Sequence, residues 1–394
     1  MSKWEMVKLS DVGDIITGNT PRTSDEKNYS SNDLSFFKPS DMGESTINVL
    51  LDSENHVSDY ARAKCRILPP QSVLVTCIGI IGKVGITTGE STCNQQINAI
   101  IPNNKVCLPK YLAYAIYREK QKMNDIANAA VVPIINKSQF SNLEIVFPPI
   151  AVQQKIADIL DISSAALEKR RAQIDKLDLL IKSQFIEMFG DPVTNPKGWE
   201  SKPLEKISKV GSSKRVFVEE LVDEGIPFYR GTEIGAMATG TKIVSSLFIT
   251  NDNYNLLKSA TGVPNVGDLL MPSICPDGRI WQVDTDEPFY FKDGRVLWVS
   301  FEKDHFNKTY LLYALKNKIV ADYMNIASGT TFAELKIFSL KKVQILLPPL
   351  ELQNQFASFV QQVESQKSLL QTSLEKLELN HKSLMQKAFR GELF

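Results

Sequence analysis

The chain has 394 residues, 45 Lys+Arg against 45 Asp+Glu and hence a formal net charge of zero, with 43% hydrophobic and 23% charged residues. That composition suits a globular protein of two or three domains and excludes a disordered or fibrous one. No apolar run approaches the roughly 20 residues of a membrane-spanning helix. The amino terminus has no apolar signal core, and five cysteines without a C-x-x-C pair argue against a disulfide framework; the expected location is cytoplasmic.

In chain order, residues 1–149 read as short strands separated by Gly, Asn, Ser and Pro, with Ser72–Ile78 and Asn98–Ile101 the clearest. Between Gly79 and Gly85 the sequence GIIGKVG lacks the Walker spacing and the Ser/Thr after Lys. It therefore predicts tight turns with Lys83 projecting outward, not a phosphate loop. A helix is expected from Pro109 to about Ala127. After Pro148-Pro149 there is almost no Gly or Pro for about 40 residues, and prolines at a helix start are tolerated. Leu160, Leu167, Ile174, Ile181 and Met188 stand seven apart there, with Leu177 at the other seam position. The segment from Gln153 to Met188 would span roughly 54 Å as a helix. Residues 195–349 return to strand and turn texture, with strands at Gly267–Met271 and Val296–Phe301 and a helix from Asn307 to about Ile326. After Pro348-Pro349 a second long helix carries Val363, Leu370, Leu377 and Leu384.

The second half copies the first. Trp4-Glu5 returns as Trp199-Glu200, Gly82-Lys83-Val84 as Gly278-Arg279-Ile280, and Tyr111-Leu112 as Tyr310-Leu311. Phe147-Pro148-Pro149-Ile150 with Gln153 returns as Leu347-Pro348-Pro349-Leu350 with Gln353, and Lys176-Leu177-Asp178 as Lys376-Leu377-Glu378. Ordered matches with a slowly drifting offset indicate tandem duplication. Aligned copy on copy, the two heptad series occupy different seam positions, so each helix is strong where the other is weak. Such helices are expected to pair as an intramolecular coiled coil. The fold class is α+β. Two mixed domains (1–149 and 195–349) are each followed by a long helix (150–194 and 350–394), with pseudo-twofold duplicated halves.

Catalytic signatures are not found. Phe147-Pro148-Pro149-Ile150 lacks the Asn/Asp before and the aromatic after the prolines that would hold a target amine and stack a flipped base. His56, His305 and His381 have no ligand spacing, so no metal is expected; His381 reads as a structural polar group in the seam.

The duplicated domain with a double proline, a glutamine and a long helix in each copy resembles the specificity subunit of type I restriction–modification systems. The resemblance rests on Thr17-Gly18-Asn19-Thr20-Pro21-Arg22, Pro39-Ser40-Asp41-Met42, the segment from Gly225 to Ile234 (GIPFYRGTEI), both Pro-Pro-x-x-x-Gln junctions, and Lys387-Ala388-Phe389-Arg390-Gly391-Glu392-Leu393. It implies two target-recognition domains, each reading one half of a split DNA site, held apart by an antiparallel pair of helices that sets the spacer; because the two domains differ most in their polar loops, the expected site is asymmetric. It further implies two modification subunits supplying S-adenosylmethionine chemistry on adenine, and possible motor–nuclease subunits using ATP and Mg. This chain itself would carry no cofactor and no active site.

Bases in the major groove are read by Arg or Lys on guanine, Asn or Gln on adenine, and Asp or Glu on cytosine. Candidate readers on recurring loops are Thr20, Arg22, Lys38, Ser40, Asp41, Lys83, Asn94, Gln95 and Gln96 in the first domain. In the second they are Ser213, Lys214, Arg215, Tyr229, Arg230, Thr232, Glu233, Arg279, Lys292, Arg295, Thr330 and Thr331, with Arg230 and Arg279 the strongest. The competing reading for each is a solvated loop or a turn-capping bond. Two other classes stand beside this one: a coiled-coil scaffold without DNA readout, and a self-sufficient adenine methyltransferase, disfavoured by the missing tetrapeptide. The half-molecules carry −1 (residues 1–195) and +1 (the remainder), so neither is a basic DNA grip by composition.

Overall fold

The computed structural model describes residues 3–44, 46–127, 132–301, 306–329 and 333–394. It comprises two compact units: Met1–Ala172 with Gln371–Phe394, and Gln173–Leu370. Each long helix is thus divided, and each unit holds one mixed domain with parts of both helices.

In the first unit, β1 (Glu5–Lys8) pairs antiparallel with β10 (Glu144–Phe147), tying the chain start to the segment before the double proline. A five-stranded mixed sheet runs β2-β9-β6-β7-β4, from β2 (Gly13–Thr17), β4 (Asn48–Leu50), β6 (Val73–Thr76), β7 (Val84–Thr87) and β9 (Ile97–Pro102). Strand β6 reads as an unbroken apolar run because both of its faces are covered. Val73 and Val75 join the cluster around Tyr111, while Leu74 joins the one around Phe37 and Cys93. A three-stranded sheet, β5-β3-β8, combines β3 (Leu34–Phe37) with antiparallel β5 (His56–Val57) and parallel β8 (Ser91–Cys93). The helix expected through Ala127 is broken at Glu119 into α1 (Pro109–Arg118) and α2 (Lys120–Ile126). Of the second stretch only Met123 is buried, so no continuous apolar face holds it in line with α1.

The second unit repeats the plan. β11 (Ser201–Pro203) pairs with β20 (Gln344–Leu346). One sheet runs β12-β19-β16-β17, from β12 (Lys209–Gly211), β16 (Leu269–Pro272), β17 (Trp281–Gln282) and β19 (Val296–Ser300). Another runs β13-β15-β14-β18, from β13 (Leu221–Val222), β14 (Ile226–Tyr229), β15 (Phe248–Ile249) and β18 (Tyr290–Phe291), with β14 and β18 parallel. Helix α4 (Gly231–Met237) follows β14, and α5 (Asn251–Thr261), capped by Thr250, is an element the sequence reading did not anticipate. Helix α6 (Lys308–Ile326) matches its expected span.

The long helices are α3 (Ile150–Phe189) and α7 (Leu350–Arg390), of 40 and 41 residues and about 60 Å each at 1.5 Å per residue. They pack antiparallel. In the first unit His381 Nδ1 lies 3.0 Å from Ser163 Oγ, and Arg171 reaches Glu378 at 2.7 Å. In the second, Lys367 pairs with Asp178 at 2.5 Å and Phe185 packs edge-on against Phe356. Leu160, Leu167, Ile181 and Val363 are buried; Ile174, Leu177, Met188, Leu370, Leu377 and Leu384 are half-buried. Further packing comes from aromatics outside those heptads. Phe185, Phe189, Phe356 and Tyr310 form one cluster, and Phe389 packs on Tyr111 in the other unit. These rings join the helix pair to the domain helix, which a two-helix seam does not account for.

The recurring glutamine has a plain structural task. Gln153, fully buried, accepts from the Leu108 N–H (2.9 Å) and donates to the Val106 and Pro148 carbonyls (both 2.9 Å). Gln353 accepts from the Asn307 N–H (3.0 Å) and donates to the Pro348 carbonyl (2.8 Å). Each clamps the start of a long helix to the loop entering the domain helix, satisfying buried backbone groups. Among the described residues no helix is long and apolar enough to cross a membrane.

Candidate nucleic-acid interface

Both units end a parallel strand pair in adjacent polar residues. In the first, β3 and β8 finish side by side at Phe37 and Cys93, and the Asn94 N–H donates to the Phe37 carbonyl at 3.0 Å. In the second, β14 and β18 finish at Tyr229 and Phe291, and the Lys292 N–H donates to the Tyr229 carbonyl at 2.9 Å. Lys38 with Asn94, and Arg230 with Lys292, therefore leave the carboxyl ends of equivalent parallel strands, a usual place for ligand contacts. A helical turn follows in each copy. The Lys38 N–H bonds Asp41 Oδ2 (2.6 Å), and the Arg230 N–H bonds Glu233 Oε2 (2.9 Å), so the acid three residues on fixes the turn that presents the cation.

In the second unit this turn borders a concave surface of about 530 Å³ lined by Arg230, Thr232, Arg279, Lys292 and Arg295. Each arginine is held by an acid: Arg230 by Glu233 (2.6 Å), Arg279 by Asp277 (2.8 Å) and Arg295 by Glu334 (3.1 Å). Nearby Arg215 pairs with Asp293 (3.0 Å), and Lys292 stands 3.8 Å from the same carboxylate. Burial alone would raise the Glu233 carboxyl, but hydrogen bonds from Arg230, Thr232 and the backbone outweigh it and hold the group at about 2. The pair is therefore fully ionised at neutral pH. The Arg279 guanidinium lies over α4, where a Cβ on Gly235 would stand 3.2 Å from Nη1. Other candidates also touch the framework, Lys214 through its backbone while its side chain stays exposed. Ser213 Oγ donates to the Phe291 carbonyl (2.6 Å), the Lys214 N–H bonds the Tyr290 hydroxyl (2.9 Å), and Tyr229 packs its ring on Phe289. Thr330 and Thr331 lie outside the described residues, as does His305.

The candidates of the first unit include fewer cations. Thr20 Oγ donates to Gln95 Oε1 (2.6 Å), and Asn94 Nδ2 to Gln96 Oε1 (2.8 Å), so four candidates gather on neighbouring loops. Lys38 Nζ bonds Asn55 Oδ1 (2.8 Å); Arg22 and Ser40 are exposed and Asp41 is half-buried. Lys83 corrects the outward reading. Only 9% exposed, it donates from Nζ to the Pro39 carbonyl at 3.1 Å and supports the turn from beneath. Asn55, Asp293 and Glu334, which orient the cations, were not singled out from the sequence; their partners lie 17 to 78 positions away.

The family model described as "Type I restriction modification DNA specificity domain" matches residues 1–176 and again 196–379. The chain belongs to this DNA specificity family. It is 28% identical over 392 residues to the type I restriction enzyme MjaIX specificity subunit of Methanocaldococcus jannaschii, covering 91% of this chain and 86% of that protein. To the type I restriction enzyme HindI specificity subunit of Haemophilus influenzae it is 33% identical over 183 residues, 44% of this chain and 39% of that one. Two solved chains share the fold end to end. One is the type I restriction–modification S subunit from M. genitalium, with TM-score 0.53 and 16% identity, covering 98% of this chain and 96% of that one. The other, from a structure concerned with assembly and conformational transition of the type I R-M system, gives 0.56 and 17%, covering 98% of both chains.

Within this specificity family member, the described residues contain no group of three or more His, Cys, Asp or Glu placed to hold a metal. Burial pushes the thiols of Cys77, Cys93, Cys107 and Cys275 up to about 12, which keeps them protonated and poor nucleophiles at neutral pH.

Proposed function

We propose that the chain reads a bipartite, asymmetric DNA site for a type I restriction–modification complex, one half-site per unit, without catalysing the reaction itself. The observation that carries this is the repeated strand-end turn. The same backbone frame presents Lys38 and Asn94 in one copy and Arg230 and Lys292 in the other, so one scaffold holds two different base-reading sets. The surrounding acids keep the cations oriented without adding net charge, and phosphate neutralisation falls largely to larger partners that close around the duplex. The antiparallel helix pair then sets the distance between readers, as dimer geometry sets half-site spacing elsewhere. Two modification subunits dock on it and bring S-adenosylmethionine, with ATP and Mg entering on motor–nuclease subunits where those are present.

Mapping methylated adenines in genomic DNA with and without the gene tests the proposal. The expected result is one split, non-palindromic motif that disappears with this chain. A motif that persists unchanged would leave a scaffold without readout as the better description.

A further inference from the structure

We propose that a groove in the first unit, between α1–α2 and the end of α7, grips the DNA phosphate backbone beside the half-site that this unit reads, and that the second unit has no equivalent grip. The inference rests on the DNA-reading function proposed above and adds to it a sequence-independent, one-sided contact.

The groove has a volume of about 530 Å³ and is lined by Arg118, Lys120, Lys382 and Arg390, with no Asp or Glu among its lining residues. Its cations are loosely paired with acids, and the Arg118 guanidinium lies over the Phe389 ring at 5.3 Å. Arg118 stands 3.6 Å from Glu119, Lys120 3.6 Å from Glu44, and Arg390 3.7 Å from Glu392. Lys382 has no ion pair among the described residues. By contrast, the arginines of the base-reading surface in the second unit sit 2.6–3.1 Å from their acids. Loosely paired, solvated cations can turn to a phosphate at small cost, whereas tightly paired ones keep a fixed direction.

The groove is linked to the reading turn through packed neighbours. The Lys120 stem lies over Gly82, where a Cβ would stand 2.8 Å from Lys120 Cγ. Next in sequence is Lys83, whose Nζ supports Pro39 beneath that turn. A duplex seated on the turn would thus bring its flanking backbone toward the groove.

The duplicated position in the second unit tests whether the fold needs this charge. There the hollow, about 490 Å³, is lined by Asp175, Asp178 and Asp277 with Lys182 and Lys316. At the offsets of the repeat, Asn317 replaces Arg118 and Gly190 replaces Arg390. The architecture is copied, but of the four cations only Lys382 keeps a basic counterpart, Lys182, and three aspartates surround it. A protein that docks once on each half of a duplicated scaffold would meet like chemistry at both places, so the unmatched basic groove favours DNA over such a partner.

The test uses the full chain assembled with its modification subunits and follows affinity against salt for two duplexes, one carrying the mapped site and one unrelated. Lys382→Gln with Arg390→Gln should flatten the log–log salt slope by about 2, at roughly 0.9 per lost phosphate contact, on both duplexes, leaving their affinity ratio unchanged. Lys182→Gln with Lys316→Gln should leave the slope as in wild type, and Lys382→Arg with Arg390→Lys should restore it. An unchanged slope overturns the grip. So does a changed affinity ratio, which would make these residues base readers, or a failure of the folded variant to assemble, which would make the groove a protein dock. A wild-type complex that binds both duplexes equally would instead sink the reading function.

Discussion

Arg230 is oriented before any ligand arrives. Its Nη2 and Nε bond Glu233, whose own position is fixed by the Arg230 N–H and the Thr232 hydroxyl. Such a clamped guanidinium loses less freedom on meeting guanine than a loose one, which is how an exposed ion pair of little intrinsic stability becomes useful in recognition. Arg230→Ala should weaken binding to the half-site read by the second unit by roughly 1–3 kcal/mol and relax its sequence preference at one position, leaving the other half-site unaffected. Competition binding with duplexes altered in one half-site at a time measures this. Because the single change leaves the Glu233 carboxylate without its partner, Arg230→Ala with Glu233→Gln is the control. A uniform loss across all sequences would make Arg230 a phosphate contact. Lys83 shows how the same reasoning goes astray at residue scale: its sequence neighbours promised an outward cation, yet the chain folds Pro39 over it. Nothing local encodes a contact between positions 44 apart.

At the scale of elements, what the sequence revealed follows its periodicity. Seven-residue spacing gave both long helices and their pairing, and the apolar run from Ser72 gave the strand β6, whose cover on both faces only the structure shows. The aromatic joints were hidden because Phe185, Phe189, Phe356 and Phe389 fall where three helices meet and no single period applies. The break at Glu119 was equally hidden: helix propensity continues through it, and only tertiary burial decides that Met123 alone turns inward. Gln153 and Gln353 also lock each long-helix start to its own domain. Inserting one heptad into the middle of both α3 and α7 should therefore lengthen the separation by about 10 Å, or about three base pairs of spacer, while the anchored ends stay intact. Methylation mapping of the insertion variant reads the result directly; the original spacer, retained, would mean that the partners and not the helices fix the distance.

At the scale of the whole molecule, duplication was the most legible feature, because ordered repeats survive substitution better than any single motif. The difference in charge pairing between the copies was not legible, since it lies in which acid holds which cation. The repeat also makes the chain cyclic in design. Phe189, closing the first copy, is followed by a turn in which Trp199 Nε1 donates to its carbonyl at 3.0 Å. Phe389 closes the second copy, and there the Lys3 N–H donates to the Arg390 carbonyl while Lys3 Nζ meets the Phe394 carbonyl. The chain ends thus occupy, in the first unit, the place of an internal turn. A permutant opened near Asn195, with residues 3 and 394 joined by a short flexible linker, should fold and assemble with modification subunits, because it breaks one exposed turn and restores its counterpart. The methylation motif it directs should match the original in both half-sites and in spacer. A permutant that folds but directs a changed spacer would show that chain connectivity, and not helix packing alone, sets the distance between the readers.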